Sequence, residues 1–336
     1  MADNLFISNF KLTHTLKRML EIIKKSSYSY FTMKLIAFLL LIFIADFSIG
    51  YLLKYYYFKQ QSGFQYRTTY AIEETKADIL IFGSSRAKNH FVPAPIEEKM
   101  QMSYYNVGRD GNHIFYNYAL LKLIFKRYSP KIIVFDLVKG EFKESVESYE
   151  KISALLPYYD SHPEIRSIIE LKSQFEKFKL FSKIYPYNSS VFSIAIGNME
   201  YNKNRYTDIQ GFVPWDKKIK CPPKTDSVYS EYKIDTLKVN LFESFIKDCK
   251  SNGIKLYVVV SPYYLISDIT DSSIAKGMEI AGKYNVKFLN YSQDTTFKLN
   301  CSLFADITHL NADGADVFTR KFVKELNMEI VSPLTD

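Results

Sequence analysis

An α/β fold, a three-layer sandwich around a five-stranded parallel sheet, is what this sequence predicts, and three observations predict it. Short apolar runs without polar alternation, at 79–82, 132–135 and 256–260, read as strands buried on both faces, as parallel sheets require. Segments with helical spacing of apolar residues alternate with those runs, over short links. At 336 residues and 47% apolar content, the chain can bury one large core and still carry an appendage.

Taken in order, the first strand is 78–82 and runs straight into Gly83-Ser84-Ser85-Arg86. A helix is expected from Ser85, limited by Pro93 and Pro95. The second strand is about 103–107. Helix 113–127 follows, with Ile114, Tyr118, Leu121 and Phe125 at helical spacing, and Ser129-Pro130 stops it. The third strand is 131–137. Residues 141–228 break the alternation: a charged helical stretch at about 163–182, then Tyr185-Pro186-Tyr187-Asn188, then a loop with Gly211 and Trp215. They read as an insertion over the active-site end of the sheet, a lid or substrate-binding subdomain. The pattern resumes with helix 232–251, ended by Asn252-Gly253. Strand 255–260, helix 272–284 and strand 286–290 come next. A closing helix at about 312–326 places Ala315, Phe318, Phe322 and Leu326 on one face, with Asn311 as its cap and Gly314 in its first turn.

Ahead of this domain (76–330) lie three further segments. Residues 1–34 form a basic arm, with Lys11, Lys17, Arg18, Lys24, Lys25 and Lys34 against Asp3 and Glu21; its net +4 is half of the chain's +8. Residues 35–53 are the one long apolar run, and nineteen residues at 1.5 Å rise give about 28 Å, enough for a bilayer core. The excess of basic residues before the run puts the N-terminus in the cytoplasm and the main domain outside. That makes the chain a single-pass protein of the inner (cytoplasmic) membrane with a periplasmic or extracellular domain. Two other readings stay open: a cleaved signal peptide, with 35–45 as its apolar core and Ser48-Ile49-Gly50 as its cleavage site, and a buried helix. Met33 is an alternative start, leaving 1–32 as an extension. Residues 54–75 read as a tether.

The basic balance does not imply nucleic acid, because no basic stripe is interleaved with aromatics on the folded part. Cys221, Cys249 and Cys301 have no metal-ligand spacing and allow at most one disulfide, which leaves the compartment undecided. Aromatic content of 16% suits clefts that stack sugars and equally suits ordinary core packing.

The chemistry lies at the two ends of the domain. Ser85 falls at the C-terminal end of the first strand, where open α/β sheets bind ligands. Asp306 precedes His309 by three residues, so the carboxylate can fix the imidazole tautomer and leave the far nitrogen to take a proton from a nucleophile. Asp110 and His113 share that spacing, and spacing alone does not choose between the pairs. His90 and Asp136 also lie near the sheet's active end, with structural roles at least as expected as catalytic ones.

These blocks resemble the SGNH (GDSL-like) hydrolases, nearest to membrane-anchored branches that act on cell-envelope polymers. The resemblance spans roughly 76–326, with a large insertion. Gly83-Ser84-Ser85 matches the first block, with Ser85 as nucleophile, and Asp306-Ile307-Thr308-His309 matches the last, which favours His309 over His113 as base. Asn106-Val107-Gly108-Arg109-Asp110-Gly111 matches the second block and implies that the Gly111 amide joins that of Ser85 in an oxyanion hole. The third block departs. The Gly-x-Asn-Asp expected after the third strand is absent from 132–140, which removes a donor whose loss typically costs ~100–1000-fold in rate. Arg86 or the Ser261-Pro262-Tyr263-Tyr264 loop is the expected substitute, and Arg86, Tyr263 and Tyr264 are the expected substrate contacts.

The resemblance implies an SGNH/flavodoxin-like sheet and acyl-ester chemistry without metal or cofactor: an esterase or O-acyltransferase for acyl, chiefly acetyl, esters of a cell-envelope glycan. A membrane acyl-donor partner would accompany the transferase. The alternative is a catalytically inactive SGNH-like module that binds polysaccharide or a partner in an export or assembly complex. A lipase is a weaker third reading, because nothing marks an acyl-chain groove.

Overall fold

A computed structural model describes residues 27–199, 208–221, 231–264, 271–298 and 300–331, the last five by backbone only. Most of the basic arm (1–26) and parts of the insertion (200–207 and 222–230) lie outside the described residues.

The core strands are β1 (Ile79–Gly83), β2 (Tyr104–Asn106), β3 (Ile132–Asp136), β4 (Lys255–Val260) and β5 (Lys287–Asn290), all parallel, in the order β2-β1-β3-β4-β5. The register sets Gly83 beside Asp136, and Asp136 beside Val259. Side chains alternate strictly between two cores. Leu80, Phe82, Ile133, Phe135, Val258 and Val260 face one side; Ile79, Ile81, Ile132, Val134, Tyr257 and Val259 face the other.

On the first side lie α2 (Gly63–Glu73), α5 (Ile114–Phe125), α7 (Thr236–Ser251) and α8 (Ser272–Lys283). The second side is covered by α3 (Ser85–His90), α4 (Pro93–Met100) and α9 (Ala312–Val331). Three layers result. Asp235 and Asp271 cap α7 and α8 through amides of their first turns. The Asn311 carboxamide oxygen accepts from the Gly314 amide at 2.9 Å. Any side chain at Gly314 would collide with the Leu303 carbonyl, 2.0 Å from the position of a Cβ. Glycine there lets α9 seat against the loop that precedes His309.

Two expectations for the N-terminal part change. The apolar helix α1 runs from Ser27 to Phe58, well past the predicted 35–53, because Tyr55, Tyr56 and Tyr57 continue it. Among the described residues it is the one helix long and apolar enough to cross a membrane, with a mean hydropathy of 2.4 over its best window. Residues 54–75 are not a loose tether. Through α2 they bury Thr68, Ala71 and Ile72 in the core beside α5.

The insertion is two structures rather than one lid. Residues 146–199 fold into short helical turns, ending in α6 (Val191–Gly197), that pack on α5 and along α1. The predicted helical stretch 163–182 is a series of short turns over 163–172 and 176–179, separated where Ser173 adopts an extended backbone. Residues 208–221 instead cross the active-site end. The Asn106 amide donates to the Gln210 carbonyl (2.9 Å), the Val213 amide to Lys88 (3.1 Å) and the Ile219 amide to Phe304 (3.0 Å).

Candidate active site

The chain leaves β1, steps outward to β2 and returns across to β3, so the C-terminal ends of β1 and β3 flank a topological switch point. Ser85, the first residue of α3, sits there. Its Oγ lies 2.7 Å from His309 Nε2. His309 Nδ1 faces Asp306 Oδ2 at 2.9 Å. Ser85 and the Asp306–His309 pair, over two hundred residues apart in sequence, thus form one hydrogen-bonded chain.

The His309 loop is wound around its carboxylate. Asp306 Oδ1 accepts from the amides of Thr308 (2.7 Å) and His309 (2.8 Å) and from the Thr308 hydroxyl (2.9 Å). Partial burial alone would raise the Asp306 pKa; the Thr308 amide and the His309 ring outweigh it and hold the carboxyl below its ordinary range. His309 is lowered from its ordinary value, first by burial and further by Arg86, against the pull of Asp306. The ring is therefore neutral at neutral pH, as a general base must be. With the His309 pKa lowered, turnover should be flat near pH 7 and fall with falling pH through an acid limb below the ordinary imidazole range. A kcat/KM profile with its acid midpoint above 7 would contradict that assignment.

A second chain of polar groups lies behind the first. His90 Nε2 accepts from the Leu310 amide (3.0 Å), which leaves the proton on Nδ1, facing Ser261 Oγ at 2.9 Å. Ser261 Oγ donates to Asp136 Oδ2 (3.1 Å), and its amide donates to Oδ1 (3.0 Å). Burial, aided by the charge of Arg86, keeps the His90 pKa well below its ordinary value. Burial also pushes the Asp136 carboxyl up to about 6, against Arg86 and Ser261. Neither group reaches Ser85 among the contacts of the described residues, so both are supports.

Arg86 has a different task from the one expected of it. The guanidinium is buried and donates to the carbonyls of Thr308, Ser261 (2.6 Å) and Pro262 (2.9 Å) and to Ser261 Oγ (2.8 Å). It also stacks on Tyr263, 3.5 Å from the ring centroid. Its Nε has no partner among the described residues. Most of the cation's contacts go to the backbone and hydroxyl groups of the surrounding loops. Arg86 holds the residue before His309 by its carbonyl, and His90 holds the residue after it by its amide. The pair clamps the base-bearing loop from both sides.

Tyr263 and Tyr264, expected as substrate walls, are both buried. The Tyr263 hydroxyl accepts from the Lys139 amide (2.9 Å), and Tyr264 packs on Phe304. They pack the core. His113, the rival base, pairs instead with buried Glu141 (3.1 Å), while Asp110 pairs with Lys88 (2.6 Å); the second Asp-x-x-His spacing brings nothing together. Gly111 occupies a left-handed turn (φ +65°) that a 3.2 Å hydrogen bond from the Arg109 amide to the Gly83 carbonyl fastens to the end of β1.

Sequence reasoning missed Trp215 as part of the site. Its ring stands edge-on to His309 at 4.9 Å, partly exposed, and its carbonyl accepts from the Ala312 amide (2.9 Å). The available signal was a lone tryptophan in a loop that leaves the insertion. Cys221, at the end of the same strap, is disulfide-bonded to Cys301 in the approach to the Asp306 loop. Cys249, on α7, is the free, buried cysteine.

No family model matches the chain, and no curated protein does. Solved structures similar to it include a putative acylhydrolase from Bacteroides fragilis, at 13% identity and TM-score 0.40, covering 79% of this chain and 97% of that one. Another is a GDSL-like lipase from Bacteroides thetaiotaomicron, at 11% identity and TM-score 0.36, covering 74% and 88%. Likeness at that level identifies no activity. The chain's own geometry says more. It is a parallel five-stranded α/β sheet in the order β2-β1-β3-β4-β5, with a serine after β1 hydrogen-bonded to an Asp-x-x-His loop after β5.

Proposed function

We propose that the protein is a membrane-anchored serine esterase or O-acyltransferase acting on acyl esters, chiefly acetyl, of a cell-envelope polysaccharide. The observation that carries the reading is the unbroken chain from Ser85 Oγ through His309 to Asp306. In the first step the Ser85 hydroxyl gives its proton to His309 Nε2 as Oγ bonds to the ester carbonyl carbon, and the carbonyl π pair moves onto oxygen. The tetrahedral intermediate collapses; the C–O bond to the alcohol breaks, and His309 returns the proton to the leaving alkoxide. Water, or a sugar hydroxyl, then repeats the sequence on the acyl-serine. Asp306 keeps the proton on Nδ1 throughout. The amides of Ser85 and Gly111 are the proposed oxyanion donors, which leaves the vacancy of the third-block asparagine unfilled by any side chain.

Trp215 supports a carbohydrate substrate, since a partly exposed tryptophan stands beside His309. Trp215→Ala should raise KM for a glycan ester about ten-fold, the loss of roughly 1.4 kcal/mol, and leave a small aryl acetate unchanged. Equal effects on both substrates would remove the glycan-stacking role. The Cys221–Cys301 disulfide and α1 support an anchored domain in an oxidising compartment, on the outer side of the cytoplasmic membrane.

Fluorophosphonate labelling of the purified protein, with peptide mapping, tests the reading. The adduct should map to Ser85. Absence of any adduct from folded protein would favour the inactive binding module, for which the missing asparagine speaks.

A further inference from the structure

The insertion and α1 meet at a depth that a simple anchored domain would not reach. Asp46, inside the apolar run, is hydrogen-bonded by the Ser182 hydroxyl and the amides of Lys183 (2.7 Å) and Ile184 (3.4 Å). Gly50 lets the Lys183 backbone press against α1; a Cβ there would sit 2.4 Å from the Lys183 carbonyl carbon. Farther along, the Asn198 carboxamide donates to the Tyr56 carbonyl (2.9 Å). The 146–199 subdomain thus lies along α1 from about residue 46 onward.

Lys34 marks the basic end of the apolar run, and the twelve residues from it to Asp46 rise only about 18 Å, against ~30 Å of hydrocarbon. The remaining apolar length must come from residues beyond Asp46, beside which the subdomain already lies. Phe47, Ile49 and Leu52 of α1 are about half exposed and would face water if the bilayer ended at Asp46. On the subdomain itself, Phe178, Phe181 and Phe192 are 68%, 78% and 85% exposed, a concentration of bare aromatic surface out of place in water. Phe181 directly precedes the Asp46 contact, and Phe192 lies on α6, which packs on α1. An apolar cleft of ≈ 190 Å³ opens between the two, lined by Phe47, Gly50, Tyr51, Leu156, Pro157 and Tyr187. Lys54, Asp160 and Lys183 also line it; the Lys183 ammonium pairs with Asp160 at 2.9 Å, and that of Lys54 can reach the headgroups.

We infer that the 146–199 subdomain is itself sunk into the outer leaflet, with Phe178, Phe181 and Phe192 in contact with lipid acyl chains beside α1. The inference rests on the reading of α1 as a membrane helix. Immersion satisfies both exposed apolar surfaces at once, since apolar side chains are stabilised in proportion to the area they move from water into hydrocarbon. The subdomain is then a second, monotopic attachment that fixes the domain's height and tilt on the membrane.

The test uses the full chain in phosphatidylcholine–phosphatidylglycerol nanodiscs. Single cysteines replace Phe181, Phe192, Phe43 (within α1) or Val317 (on α9, across the sheet) and carry the fluorophore NBD. Cys249 is buried and the other two cysteines are paired, so the label stays on the new thiol. Labels at 181 and 192 should be quenched by doxyl groups on lipid tails as strongly as the label at 43, and shielded from aqueous iodide. The label at 317 should show the opposite. If 43 responds to lipid while 181 and 192 respond to iodide, the immersion is wrong and the membrane helix stands. If 43 fails to respond to lipid, both readings fall. Labels at 181 and 192 shielded from both quenchers would mean a protein covers them, which also overturns the inference.

Discussion

Ser85→Ala is expected to lower kcat on an acetyl ester by about a million-fold and to eliminate fluorophosphonate labelling, while the melting temperature stays unchanged. The size follows from the geometry. The Oγ has one polar partner, His309 Nε2 at 2.7 Å, so its removal deletes the nucleophile and leaves base and carboxylate with nothing to activate. Stability should not change, because the lost hydrogen bond is to a ring that water can reach and the alanine methyl suits the first turn of a helix. Residual turnover would come from binding and the oxyanion amides alone. Retention of more than a hundredth of wild-type kcat would mean that the acyl group never visits this serine.

Arg86→Met is expected to act by another route, lowering stability by about 3–5 kcal/mol and kcat by roughly 100-fold together. Methionine keeps the volume but removes the cation shared by Thr308, Ser261, Pro262 and Asp136. Asp136, already raised to about 6 by burial, would lose its nearest positive charge. The Thr308 carbonyl would lose its hold, and small displacements of a base are costly. The double variant Arg86→Met/Asp136→Asn should regain part of the stability, since the uncompensated carboxyl is gone, yet not the turnover. A fall in kcat without any loss of stability would restore Arg86 as a direct oxyanion donor; a change in KM alone would make it a substrate contact.

Much of this molecule was legible because its signals are local. β1, β3 and β4 fall within a residue or two of where their uninterrupted apolar runs placed them, and α5, α8 and α9 follow their helical spacing. Ser85, Asp306 and His309 stand out by motif and spacing, and the structure brings their side chains within hydrogen-bonding distance. What failed was everything set by tertiary partners. Arg86 beside a nucleophile looks free in sequence; its acceptors come from residues 261, 262 and 308, which no local pattern reveals. Tyr263 and Tyr264 follow β4 at the correct end of the sheet, but which face they take depends on Arg86 and Phe304. The 54–75 segment reads as a linker because its polar residues outnumber its apolar ones; α2 nonetheless buries Thr68, Ala71 and Ile72 against α5. The insertion lacks periodicity, so its division into a subdomain along α1 and a strap over the site had no sequence signature.

The Cys221–Cys301 bond has a mechanical consequence. It shortcuts an 80-residue separation that contains α7, β4, α8 and β5, nearly half of the sheet. Tension applied along a chain follows its shortest covalent route. Here that route passes from the strap directly into the His309 loop, and the bridged elements lie off the line of force. Stretched between its termini, the oxidised chain should yield about 270 Å less contour than the reduced one, because those residues cannot be paid out until a thiol opens the bridge. The domain could then be pulled without its far strands ever bearing the load.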